Sequence, residues 1–176
     1  MNSEDRDIVT LLIENYVEPD HLKAIFDDVG LSDMMYVHEM NSDWPTLIDM
    51  INMDKRLVVF WEQASDSEHP YFHDFLTHSW TTNYADDDTA SMDCEKLRGD
   101  VNQPVFHMNN WLKNQAGLSD PTRAGEANDV DFMVERAIEC IELHGKRPTF
   151  IAVDWWEEGD VVEAVERVNQ MELDTD

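Results

Sequence analysis

The sequence predicts an α/β fold built on a mostly parallel sheet. Three observations carry this: short apolar runs read as strands, amphipathic stretches with helix caps stand between them, and each run closes on polar residues at its C-terminal end. Alternation of this kind is how a parallel sheet covers its faces with crossover helices.

The elements follow in chain order. "IVTLLIEN" is an apolar strand running from Ile8 into Glu14 and Asn15. "EPDHLKAIFDDVG" reads as a helix, with Asp20 as N-cap, Leu22, Ile25, Phe26 and Val29 on one face, and Gly30 as the stop. "MMYVH" fits a short strand. "SDWPTLIDMINMDK" reads as a second helix, capped by Ser42 or Asp43, with Pro45 in its first turn and Leu47, Ile48 and Ile51 facing inward. It feeds the strand "RLVVFWE", from Arg56 into Glu62.

From about residue 62 to 103 the periodicity breaks into a stretch rich in His, Asp, Thr and aromatics, the length of a rim loop or lid, with room for a strand near "SWTTNYA". Its His69, His73 and His78 offer no i, i+4 helical pair with a third ligand, so a zinc site is not the expected reading. Regularity returns with the strand "PVFHMNN", ending at Asn109 and Asn110. A helix over about 129–144 carries Val130, Met133, Ala137, Ile138 and Ile141 on one face, with Asn128 or Asp129 as cap and Gly145 as stop. The strand "TFIAVD" then runs into Asp154, and Asp160 with Glu163 opens the last helix like a capping box, with Val161, Val165 and Val168 inward.

The polar ends of these strands point to function. In parallel α/β proteins the chemistry is placed at the C-terminal ends of the strands. A carboxylate such as Asp154 at the edge of an apolar run is costly unless something pairs with it.

Composition narrows the partners. Asp and Glu number 39 against 12 Lys and Arg, a formal net charge of −27. Such a field repels nucleic acid and anionic membrane, which require local cationic density. The acids fit a solvated acidic surface, divalent-cation binding or adaptation to high salt. No segment approaches the ~20 apolar residues of a membrane span. The opening "MNSEDRD" lacks the basic flank and apolar stretch of a signal peptide, and a strand begins almost at once, as in a trimmed chain. Cys94 and Cys140 are too few for a zinc site; they pair in an exported protein or remain two thiols.

"VTLLIENYV", "WPTLIDMI" followed by "KRLVVF", "SWTTNYADDDTASMDCEKLRG", "VFHMNNWL" and "KRPTFIAVDWWEEGDVVEAVERVN" occur in the order of the C-terminal half of phosphatidylinositol-specific phospholipase C and its phosphodiesterase relatives. The chain resembles that family over nearly its whole length. The resemblance implies a TIM-type (β/α) barrel, of which this chain holds the C-terminal part. It also implies a site at the barrel mouth that cleaves a phosphoinositide-type phosphodiester, and an extracellular location. A closed eightfold barrel usually takes ~250 residues, more than the 176 present, which fits a partial barrel. In such enzymes one histidine takes the proton of the attacking inositol hydroxyl and another protonates the leaving group, while charge on the phosphoryl oxygens is neutralised by a cation or Arg.

Carried onto this chain, the resemblance gives Asp154 the role of a supporting acid that orients a histidine. It gives Glu14 a place in a calcium site, calcium being the one cofactor implied. Asn109, Asn110, Trp111 and Trp155 become substrate-binding residues at the mouth, with Trp61 and Trp156 as further rim aromatics. The departures are equally specific. None of the seven histidines falls on the family's catalytic positions, Asn110 replaces a common histidine, and Phe60, Trp61 and Glu62 stand where some members carry a phosphate-binding Lys or Arg. The expected activity of the chain alone is therefore absent or very weak. Its expected partners are a phosphoinositide-type lipid, an N-terminal barrel half, or a second copy pairing through an open strand edge. The alternative is a non-catalytic acidic α/β domain that binds calcium or a partner protein.

Overall fold

A computed structural model describes residues 6–40, 42–62, 68–84 and 86–171. It is mixed α/β and divides into two compact units, residues 1–78 and 79–176.

The first unit is built on β1 (Val9–Ile13), β2 (Leu57–Trp61) and β3 (Phe72–Asp74), a parallel sheet in the order β1-β2-β3. β2 lies in the middle, and all five of its residues are buried. That burial explains its unbroken apolar sequence. α1 (Pro19–Asp28) packs Phe26 on Phe72 with ring centroids 6.2 Å apart, in a core that includes Met35, Leu57, Val59 and Trp61. Its N-cap is Glu18, with Pro19 preset for the first turn, and Asp20 sits inside the helix. Only the inner part of the predicted apolar face is covered, since Ile25 and Val29 are exposed.

α2 (Leu47–Asn52) is shorter than its sequence suggests, because Thr46 supplies the capping box with Asp49 and leaves Pro45 outside. Met50 is its buried residue, and Leu47 and Ile48 face out, not inward as predicted. "MMYVH" forms one bridge, Met35 to Leu57, and no strand. α3 (Phe75–His78) follows β3 directly; Asp74 Oδ1 accepts from the backbone N–H and the hydroxyl of Thr77 and so caps this turn.

The second unit contains β4 (Ser79–Thr82), β5 (Lys96–Gly99), β6 (Val105–Asn109) and β7 (Phe150–Ala152), ordered β5-β4-β6-β7. β4, β6 and β7 run parallel, and β5 is an antiparallel edge. The predicted rim loop therefore holds strands: β3, β4 and β5 all lie between residues 62 and 103. Gly99 makes the β5 pairing feasible, because a Cβ there would lie 2.1 Å from the Ser79 carbonyl oxygen.

α4 (Ala124–Ala127) precedes α5 (Val130–His144), which is capped by Asp129 and ended by Gly145 in the left-handed conformation. α6 (Val161–Gln170), capped by Asp160, packs against α5 and buries Ala164 and Val168. Trp80 stacks on Phe106 at 3.9 Å in the middle of this core. Cys94 and Cys140, left open by sequence, form a buried disulfide. A TIM-type barrel is not present as such: the described strands form two small open sheets and no closed barrel.

Candidate functional site

The parallel strands of the second unit end together. Thr82, Asn109 and Ala152 close β4, β6 and β7 at the same edge, with Asn109 opposite Ala152. Asn110 N donates to Ala152 O at 2.7 Å and extends this edge by one residue. The next polar group along β7 is Asp154.

Asp154 is partly buried. Among the described residues its carboxylate has no hydrogen-bond or ion-pair partner, so it does not cap the strand end. Its backbone is held firmly instead. Asn128, with no exposed surface, donates its Nδ2 to the carbonyls of Asp154 and Trp155 at 3.0 and 3.2 Å. Trp155 adopts a left-handed φ of 54°, a strained geometry for a bulky residue, and it is tied by Nε1 to Ser119 Oγ at 2.9 Å. Gly159, at φ 89°, closes the same turn against the backbone of Asn128, where a Cβ would come within 2.3 Å of the carbonyl oxygen. A strained turn held from two sides fixes where the carboxylate sits.

Around it, Trp111, Ser119, Asp120, Asn128, Asp154 and Trp155 line one narrow niche. Trp155 and Trp156 are 49% and 65% exposed, so two indoles stand at the surface beside the acid.

Asn109 and Asn110 precede Trp111 at the C-terminal end of β6 and do not line this niche. Asn109 is 6% exposed; its Nδ2 donates to Thr82 O at 2.9 Å and its Oδ1 faces His107 Nε2 at 3.2 Å. Asn110 has no exposed surface, and its Nδ2 donates to Ala127 O at 2.7 Å. Both side chains bond to protein groups.

The residue that joins them is one the sequence reading missed. Arg136, on α5 and 2% exposed, donates from Nη1 to Asn109 O at 2.6 Å and Asn110 Oδ1 at 3.1 Å. Its Nη2 donates to Asp93 O at 2.9 Å and its Nε to Met92 O at 3.3 Å. Burial lowers its pKa to about 10, with Asp86, Asp93 and Glu139 opposing the shift, so the guanidinium remains charged at neutral pH. Asp86, 5% exposed, is pushed up by the same burial. The signal was available: Arg136 follows Met133 by three residues and precedes Cys140 by four, on the apolar stripe itself.

Glu14 belongs to the first unit, exposed just beyond β1. Calcium takes six to eight oxygen ligands. Among the described residues no group of three or more His, Cys, Asp or Glu side chains could hold a metal ion. Trp61, expected on the rim, is 2% exposed and packs on Phe72 at 5.2 Å, because β2 is the central strand of its sheet and is buried on both faces. Among the described residues no helix is long and apolar enough to cross a membrane.

The PI-PLC X family model, described as PI-PLC X 1, matches residues 1–169. The chain is 28% identical over 190 residues to "PI-PLC X domain-containing protein 1" of Arthroderma benhamiae, covering 96% of this chain and 61% of that protein. It is 29% identical over 178 residues to an "Uncharacterized secreted protein" of the same fungus, covering 88% of this chain and 40% of the other. A PI-PLC X domain-containing protein of Arabidopsis thaliana is 25% identical over 189 residues, 96% of this chain and 42% of that one. The chain thus spans about half the length of the relatives it matches. No solved structure matches it significantly. A match across nearly the whole chain, over strands whose ends carry Asn109, Asn110 and Asp154, settles the affiliation: the chain belongs to the PI-PLC X domain family.

Proposed function

We propose that the chain forms part of a phospholipase-C-like phosphodiesterase domain acting on phosphoinositide-type lipids. In this reading Asp154 is a positioning acid that orients a histidine supplied by residues outside this chain. The observation that carries it is the Asp154 carboxylate: partly buried, past the end of a parallel strand, without a partner among the described residues, and held by the Asn128 clamp. An acid in that state gains most by hydrogen bonding to an imidazole that becomes charged during proton transfer.

The parallel strands are then arcs of a TIM-type barrel that an N-terminal half completes, and β1 is the strand that half would cover. Trp111 and Trp155 contact the head group, with Trp156 at the lipid interface, and Asn109 and Asn110, held by Arg136, fix the strand end from which Trp111 follows. Glu14 is the residue this chain would offer to a calcium ion, whose remaining oxygen ligands would come from outside the chain. An extracellular site of action agrees with the Cys94–Cys140 disulfide, which persists in oxidising compartments, and with a relative named as secreted.

The test is inositol phosphate release from phosphatidylcholine vesicles containing phosphatidylinositol, a composition that limits repulsion of the −27 charge. A longer natural protein that includes this chain is compared with the chain alone. The longer protein is expected to turn over lipid and the chain alone to show little or none. Asp154→Asn in the longer protein is expected to lower kcat by about 10²–10⁴-fold, the range for losing an oriented acid–base pair. Full activity of that variant removes Asp154 from the reaction. Calcium or partner-protein binding without hydrolysis by the longer protein supports the alternative, a non-catalytic acidic domain, which the absence of matched catalytic histidines in this chain favours.

A further inference from the structure

The first unit contains a group of side chains that phosphodiester chemistry does not use. His38, His73 and His78 are 8%, 3% and 7% exposed. Their ring centroids lie 5.3 Å apart for His38 and His78, 5.7 Å for His73 and His78, and 6.4 Å for His38 and His73. Trp44 stacks on His38 at 4.0 Å and meets His73 and His78 edge-on at 5.8 and 5.6 Å. Phe60 of β2 and Tyr36 close the wall around His73, at 6.0 and 6.4 Å. His73 Nε2 lies 3.1 Å from Tyr36 O, and because a carbonyl only accepts, this is the N–H nitrogen of the neutral ring. Among the described residues His38 Nδ1 and Trp44 Nε1 are buried without a hydrogen-bond partner.

These rings join three pieces of chain. His38 and Trp44 come from the irregular residues 36–40 and 42–44 ahead of α2, His73 from β3 and His78 from α3. Neutral, they pack as aromatics. Protonated, each ring is a cation held out of water, and a second proton is repelled by the first. The acidic groups that face the cluster are few: Glu39 from the segment acts on His38, and Asp74 at the end of β3 acts on His78. Asp74 already accepts twice from Thr77, Tyr36 is the remaining titratable neighbour, and β2 contributes no charge. Burial outweighs both carboxylates and lowers all three histidines, His73 to about 4.

We infer that His38, His73 and His78 form an acid-sensitive latch, which holds the backbone around Tyr36, His38 and Trp44 on β3 and α3 while neutral and releases it when protonated. The folded-state pKa lies below the unfolded value of about 6.5, so the latch is fully closed above that pH and weakens as pH falls toward 4. His73 alone shifts the opening equilibrium by roughly two to three powers of ten across that window. Neutralising carboxylates on a chain of net charge −27 works in the opposite direction, by relieving repulsion.

The whole chain is followed from pH 8 to 4 by Trp44 fluorescence, isolated by difference from Trp44→Phe, and by amide exchange corrected for its intrinsic pH dependence. The expected result is a transition between pH 6.5 and 4, with at least tenfold loss of protection confined to residues 36–40 and 42–44 while α5 stays protected. His73→Phe and His78→Phe each move that transition at least one pH unit lower. Transitions unchanged in both variants, or α5 and these residues opening together, would overturn the latch. Should both variants fail to fold, imidazole NMR titration of the unmodified chain decides: His73 titrating below pH 5 supports the latch, and above pH 6 refutes it.

Discussion

Replacing Arg136 with methionine is expected to destabilise the second unit by about 3–5 kcal/mol, enough to lower its melting temperature by on the order of 20 °C. Methionine matches the length and apolar stem of arginine, so little packing volume is lost. What it removes is the donor set for Asn109 O, Asn110 Oδ1, Met92 O and Asp93 O, where a buried acceptor left unpaired costs about 1–3 kcal/mol. The lowered pKa of Arg136 shows that burial disfavours its charge, so the expected loss comes from the orphaned acceptors and not from a missing cation. Asp86, whose Oδ2 has no hydrogen-bond partner among the described residues, loses its attraction to Arg136 as well. Denaturant unfolding of the two proteins measures the difference; a loss below about 1 kcal/mol would mean that water reaches the strand ends when the guanidinium is absent.

The parts legible in the sequence were those that local chemistry decides. β1, β2, β6, β7 and the long α5 follow from apolar runs, from Asp129 as cap and from Gly145 as stop. The parts that were not legible depend on distant partners. β4 answers the strand expected near "SWTTNYA", but β3 and β5 stayed hidden in the stretch 62–103 because strands of three and four residues are too short for periodicity. α2 was read too long because Thr46, unremarkable beside Ser42 and Asp43, turned out to hold the reciprocal bonds with Asp49. Asp154 was legible as a residue needing an explanation, whereas the Asn128 clamp that positions it comes from 26 residues away. The histidine latch could not be seen at all, since His38 lies 35 and 40 positions from the two rings it meets.

Reducing Cys94–Cys140 is expected to lower stability by about 4 kcal/mol, the chain-entropy value for a loop closed across 46 residues. Denaturant unfolding with and without a phosphine reductant measures it, and Cys94→Ala with Cys140→Ala checks that the reductant acts through this bond. Both sulfurs are buried, so reduction should become rapid only as the unit opens. A loss much smaller than this would mean that other contacts already hold α5 to the segment before β5. Those contacts exist. Arg136, Cys140 and His144 are spaced by four residues along one stripe of α5, and all three grip the same short segment. Arg136 binds the carbonyls of Met92 and Asp93, Cys140 is bonded to Cys94, and His144 Nε2 meets Cys94 O at 2.7 Å. Three attachments to one segment constrain the same freedom, so their effects should not add. Arg136→Met in the reduced protein is accordingly expected to cost less than the sum of the two separate losses, by about 0.5–3 kcal/mol. Strict additivity would instead make the guanidinium and the disulfide independent, with Arg136 acting only on the strand ends at Asn109 and Asn110.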